Sequence, residues 1–155
     1  MKKTAFLFLF AVLLIGGLDS CSKQDTTPQP DLTTNLVGTY VGNYADSISG
    51  GASTSSASVI VVVSKIDNTH IQVTPPATSN FIPFTATLTS APNGTYLTVN
   101  AGTYGSNTLY TGSQIYTNLP APYSGGYSPI TNQIGFSILA GSGGTTYYEI
   151  FSGYK

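Results

Sequence analysis

Residues Leu36–Lys155 read as one all-β domain, a single antiparallel meander of eight or nine strands closed into a small barrel. Three observations predict it. Apolar residues alternate with polar ones over short runs bounded by Gly, Pro, Asn and Ser, and no stretch carries a helical stripe. Connections are short, so successive strands pair as neighbours. Charged residues make up 7% of the chain, too few to guard exposed edge strands, and closure removes edges altogether. A barrel is therefore favoured over a sandwich.

The elements follow in order. Leu36 to Tyr44 (LVGTYVGNY) reads as the first strand, with Gly38 and Gly42 permitting a bend or a close approach. Asp46 to Ser56 is Ser/Gly-rich and reads as a loop. Ser58 to Lys65 (SVIVVVSK) is apolar on both faces, as a central strand would be, and Ile66-Asp67-Asn68 turns the chain. His70 to Thr74 returns with Ile71 and Val73 inward, and Pro75-Pro76 stops it. Phe81 to Thr89 places Ile82, Phe84, Ala86 and Leu88 on one face. Ala91 to Gly94 is a tight turn into Thr95 to Asn100, so the Asn93-Gly94-Thr95 sequon is read as turn chemistry and not as a glycosylation site. Gln133 to Leu139 has Ile134, Phe136 and Ile138 in phase. Gly141 to Gly144 then turns into the last strand, Thr145 to Tyr154.

Composition excludes several functions. The five basic residues are all Lys and the net charge is −1, which leaves no basic surface for nucleic acid. One Cys and one His exclude a disulfide framework and a Cys/His zinc site. No metal or other cofactor is expected.

The N-terminus carries an address. Met1-Lys2-Lys3 precedes an apolar run from Ala5 to Ile15, whose eleven residues make about 16 Å of helix against a hydrocarbon core of about 30 Å. That is a signal-peptide core, too short to span. It ends at Leu18-Asp19-Ser20-Cys21, which resembles the lipobox of bacterial lipoproteins, with Asp19 where a small residue is usual. The resemblance implies that residues 1–20 are removed and that Cys21 becomes an acylated first residue, several chains on one residue giving a stable membrane anchor. Cys21-Ser22-Lys23-Gln24-Asp25 is similar to the starts of outer-membrane lipoproteins of the Bacteroidota, which implies export to the cell surface. Asp25-Thr26-Thr27 and Asp46-Ser47-Ile48 resemble that phylum's O-glycosylation pattern, implicating Thr26 and Ser47; the alternatives are a plain tether and a turn. Residues 21–35 carry two Pro and no apolar period, and read as the lipidated Cys plus a flexible tether.

A second resemblance spans the mature chain. Leu36-Val37-Gly38-Thr39-Tyr40-Val41-Gly42, the segment Tyr127 to Ile138 and the closing Phe151-Ser152-Gly153-Tyr154-Lys155 look like small lipocalin-like or calycin-like lipoproteins of the Bacteroidota. Tyr40 stands where true lipocalins have Trp. The resemblance implies a barrel and an address more than a ligand.

No catalytic set is expected. His70 sits beside a turn with Asp67 three residues away, an exposed strand His next to inward Ile71. Asp67 has a turn role. Glu149 is assigned to the outward polar face of its strand; turned inward, its Tyr-Tyr-Glu-Ile-Phe setting would disfavour ionisation. The unusual segment is Ala101 to Ser128, where Tyr104, Tyr110, Tyr116, Tyr123 and Tyr127 lie among Gly, Ser, Asn and Pro. That is the composition of recognition surfaces, although Tyr also suits strands that merely cover a barrel. The expectation is a non-enzymatic binding module, anchored in the outer membrane, that takes a glycan or protein partner on this surface. The alternatives are a carrier of a small apolar ligand and an accessory subunit of a surface complex. A carrier would need room inside, whereas Ile60, Val62, Phe84, Leu88, Phe136 and Ile138 are expected to fill the barrel.

Overall fold

The computed structural model describes residues 27–48, 51, 53–75, 83–104, 107–111, 119, 122–142 and 145–155, with 103–104, 107–111 and 142 described through their backbone alone. Its strands are β1 (Gly38–Ile48), β2 (Ser53–Lys65), β3 (His70–Thr74), β4 (Phe84–Ala91), β5 (Gly94–Val99), β6 (Gly102–Tyr104), β7 (Asn107–Thr111), β8 (Gly125–Ser128), β9 (Gln133–Ser142) and β10 (Thr145–Tyr154). Every pairing is antiparallel. The ring runs β1-β2-β3-β4-β5-β8-β9-β10 and closes where β10 pairs with β1. β9 is shared along its length, with β8 beside its first half and β7 beside its second, and β6 extends the sheet beyond β7. The result is an all-β, barrel-like closed meander, and among the described residues there is no helix.

Alternation decides which side chains enter the ring. Tyr40, Val61, Val63, Ile71, Val73, Phe84, Ala86, Leu97, Ile134, Phe136, Ile138 and Phe151 are all buried. Phe136 packs edge-on to Phe84 at 5.0 Å and tilted on Phe151 at 5.3 Å, a compact aromatic centre. Ile60 and Val62, expected inside, are instead 49% and 44% exposed on the outer wall. The run Val59–Val63 is β-branched at every position, so its sequence has no phase, and a one-residue shift exchanges the two faces. The structure chooses Val61 and Val63.

The Ser/Gly-rich loop expected over Asp46–Ser56 is mostly strand. β1 continues to Ile48 and β2 begins at Ser53, paired through Tyr44↔Ser56 and Asp46↔Thr54. An extra residue in β2 beside Gly42 and Tyr44 makes a bulge, with Ser58 in the left-handed region at φ 59°. Bulges raise local twist and help a sheet curl. Likewise β9 carries on through Gly141 and Ser142, where a turn was expected.

The ring has two unlike ends. At one lie the β2–β3, β4–β5 and β8–β9 turns, the start of β1 and the finish of β10. Leu36, expected in the first strand, lies in a turn there and is fully buried, with its carbonyl accepting the Tyr40 hydroxyl at 2.6 Å. The segment before it is fixed as well. Leu32 N–H donates to the Asn68 carbonyl at 2.9 Å, Lys65 pairs with Asp31 at 2.5 Å, and the Gln29 carbonyl accepts from Asn68 at 3.4 Å. Contact with the domain thus begins upstream of Leu36. The opposite end carries the β1–β2, β6–β7 and β9–β10 connections.

Candidate functional site

A groove of about 410 Å³ runs over the outer wall, lined by Pro92, Asn93, Gly94, Tyr96, Leu119, Gly126, Ser128, Gln133, Gly135 and Ser152 among others. Register explains its shape. Tyr96 pairs with Gly126, Gly126 with Gly135, Gly135 with Ser152, and Ser152 with Asn43. These five outward positions form one row across five strands, about 19 Å long at the usual strand spacing. Two adjacent glycines leave the middle of the row without side chains, so the backbone itself is the floor. A second depression of about 380 Å³ lies at the Asn43 end and shares Ser152.

Tyr96 and Tyr123 stack at the other end, with ring centroids 4.4 Å apart and planes at 25°. Tyr123 is held there by its neighbour. Ser124 N–H donates to the Leu97 carbonyl at 2.8 Å, and its own carbonyl accepts from Ser137 N–H at 2.9 Å, which stitches β5 to β9. Gly125 follows because a Cβ there would lie 2.4 Å from the Gly135 carbonyl. Polar groups flank the platform, among them Gln133, whose side-chain amide donates to Ser152 Oγ at 2.9 Å. A half-exposed aromatic pair beside a floor of backbone, hydroxyl and amide groups can stack on a flat face and hydrogen-bond its rim.

Of the five tyrosines singled out in the sequence, Tyr123 stacks on the groove-lining Tyr96 without lining the groove itself. Tyr127 does not offer its ring: it turns into the ring interior, 5% exposed, edge-on to Tyr40 at 6.4 Å, with its hydroxyl donating to Asn132 Oδ1 at 3.1 Å. β8 alternates like any strand, and Tyr127 is on its inner phase. Tyr104 and Tyr110 belong to β6 and β7 by their backbones, their side chains lying outside the description, and Tyr116 lies outside the described residues. So do Cys21 and Thr26. Ser47 is half-buried within β1, opposite Ser53 and Tyr148, and is no part of a turn. Sequence reading missed Tyr96, whose only signal was its place in an alternating strand.

The carboxylates are arranged otherwise than expected. Glu149, assigned to the outer face, is 3% exposed and faces into the ring directly opposite Asp46. The phase of β10 is set by Phe151, which must enter the core, and period two carries Glu149 in with it. Asp46 accepts from Thr54 through both its N–H and its hydroxyl. Beside them Tyr44 is buried, which pushes its hydroxyl pKa up, and the charges of Glu149 and Asp46 add to the effect. At the tether end, Asp67 accepts from the Thr69 and His70 N–H groups and pairs with His70 Nδ1 at 2.9 Å, a closed turn motif. Among the described residues no three His, Cys, Asp or Glu gather as a metal set.

No family profile, curated protein or solved structure matches this chain. Its function must be read from its own residues.

Proposed function

We propose that this chain is a lipid-anchored outer-membrane protein, exposed at the cell surface, that binds carbohydrate without transforming it. The anchor is Cys21, on the strength of the charged start, short apolar core and lipobox-like Leu18-Asp19-Ser20-Cys21. The domain is a closed all-β meander, and its ligand lies on the outer wall.

The observation that carries the reading is the Tyr96–Tyr123 stack at the head of the Gly126–Gly135 floor. Sugars present flat C–H faces rimmed by hydroxyls. Aromatic rings meet the faces, while Ser, Asn, Gln and bare backbone meet the rims. A row crossing five strands suits an oligosaccharide better than a single sugar. Carriage of an apolar ligand draws less support, because Leu36, Phe84, Phe136 and Phe151 occupy the interior at 0% exposure.

The test is a glycan array probed with the full chain, followed by titration of the best ligand. Y123A and Y96A are each expected to weaken binding about tenfold or more, consistent with the usual loss at a buried aromatic contact. Unchanged binding in both variants, or a ligand taken up equally when the groove is altered, would overturn the assignment. Capture of a protein instead of a glycan on the same groove would replace the ligand class.

A further inference from the structure

Exposed large apolar side chains are normal when scattered, and informative when gathered. Here they gather. Among the described residues, Ile130 is 82% exposed, Tyr154 54%, Ile66 53%, Ile60 49%, Val41 48% and Val62 44%. Registers make them neighbours. Ile130 tips the β8–β9 turn, and Tyr154 lies opposite Gln133, the first residue after that turn. Val41 pairs with Tyr154 on one side and Ile60 on the other. Val62 is two residues further along the same face of β2, and Ile66 lies in the turn that follows Lys65. They form a belt around half of one rim and the lower wall above it.

That rim is the one from which the N-terminal segment leaves. Gln29 is held at Asn68 in the β2–β3 turn, beside Ile66. Only seven residues lie between Gln29 and Cys21, eight steps along the chain with a reach of about 28 Å even fully extended. An acylated Cys21 would keep this rim close to the lipid and the opposite rim away from it.

We infer that the domain rests on the bilayer through this belt, with Ile66 and Ile130 as tips that enter the interfacial region and Tyr154 at headgroup level. The inference rests on the anchor proposed above. A membrane is the occupant the placement selects, because the belt is continuous with the one point where the anchored segment meets the fold. Tyrosine suits a boundary where one end is apolar and the other wet. At this rim Lys65 pairs with Asp31 and Asp67 with His70, and the Lys155 ammonium donates to the Asn35 carbonyl at 2.8 Å, so apolar insertion outweighs attraction to anionic lipid in the docking. The docked pose puts the β4–β5 edge of the carbohydrate groove at the same rim as the belt, with the Tyr96-to-Asn43 row running round the wall above it.

The full acylated chain carries no free thiol, since Cys21 is its only Cys. Single cysteines introduced as I66C, I130C and, at the far end of β2, S53C can each be labelled with an environment-sensitive fluorophore. The proteins are reconstituted in phosphatidylcholine vesicles with brominated acyl chains. Labels at positions 66 and 130 are expected to be quenched several-fold more than the label at 53, with blue-shifted emission. Equal, weak quenching at all three positions overturns the docking. Labels shielded from aqueous quencher but untouched by bromine, with dimers in sedimentation, mean that a second copy covers the belt and also overturn it. Mass spectrometry of the N-terminal peptide reports the anchor separately. An unacylated Cys21 overturns the anchor and removes the basis of docking; an acylated Cys21 with unquenched labels overturns docking alone.

Discussion

Asp46 and Glu149 face each other across the seam that closes the ring, direct partners on β1 and β10 and both on its inner face. With both ionised, like charges directly opposite in an antiparallel pair destabilise it by up to about 1 kcal/mol, and the burial that disfavours ionising Glu149 adds to the cost. Thr54 supports Asp46 from the other side through two hydrogen bonds, so neutralising Glu149 removes the repulsion and leaves those two bonds in place. E149Q is therefore expected to raise the urea midpoint at neutral pH. The gain should shrink when Asp46 is already Asn, because the repulsion is then gone. A double-mutant cycle of E149Q with D46N reads that coupling. Additive effects would mean that the two carboxylates do not sense each other.

The same seam depends on Gly42. A Cβ there would lie 2.1 Å from the Ser152 carbonyl oxygen and 2.4 Å from the Gly153 Cα, both backbone atoms that cannot swing aside. G42A should cost about 3 kcal/mol or more, the upper range for overpacking, or prevent folding. Gly126 makes the contrast. Its nearest neighbour to an added Cβ is the Thr95 carbonyl at 3.4 Å, so a side chain fits, pointing out into the groove. G126V should fold with little change in midpoint, Val being a good strand residue, yet lose glycan binding. A G126V protein that binds normally would place the ligand elsewhere.

Acid should loosen the tether end first. The Thr69 N–H beside Asp67, together with the His70 side chain, holds the Asp67 carboxyl down to about 2, and Lys65 with Thr33 lowers that of Asp31. A carboxyl whose value is depressed in the folded state contributes stability above its unfolded value near 4, lost as pH falls through the folded value. Midpoints measured from pH 6 downwards should therefore drop between about pH 4 and pH 2. D67N keeps an acceptor in the turn but has no charge to titrate, so its acid decline should be shallower. An identical decline in D67N would assign the loss to other carboxyls.

How far the sequence led depends on whether each strand carried its own phase. β3 and β10 begin and end where alternation put them, and Phe84, Ala86, Leu88, Ile134, Phe136 and Ile138 are buried as their spacing implied. β2 had no phase to read, because Ile60–Val63 is β-branched throughout and the partner Tyr40↔Val61 decides which side enters. The Ser-rich start of β2 looked like a loop because serine signals turns locally, yet pairing with β1 holds it as strand. Tyr123 was singled out by composition, and the structure stacks it on Tyr96. Tyr96 was not, since the stack joins residues far apart in sequence whose meeting depends on β5 pairing with β8. Glu149 was misassigned because its own neighbours are apolar on both sides, and Phe151, two positions on, settled its face.

Alkali should act through the interior. Burial pushes the hydroxyls of Tyr40, Tyr44 and Tyr127 up from their ordinary value, with the nearby charges of Glu149 and Asp46 adding at Tyr44. Tyr40 also donates to the Leu36 carbonyl at 2.6 Å, a bond that requires the neutral phenol. A group whose folded value is raised contributes stability below its unfolded value near 10, lost as pH climbs above it. Phenolate absorbance from these three tyrosines should therefore appear only as the ring opens. Y40F removes one of those protons and one hydrogen bond together. Its midpoint at pH 7 should fall by about 1 kcal/mol, the usual net worth of such a bond. Its further decline between pH 10 and pH 12 should be smaller than that of the parent chain. If Tyr40, Tyr44 and Tyr127 ionise near pH 10 with the fold intact, the interior is wetter than this packing allows.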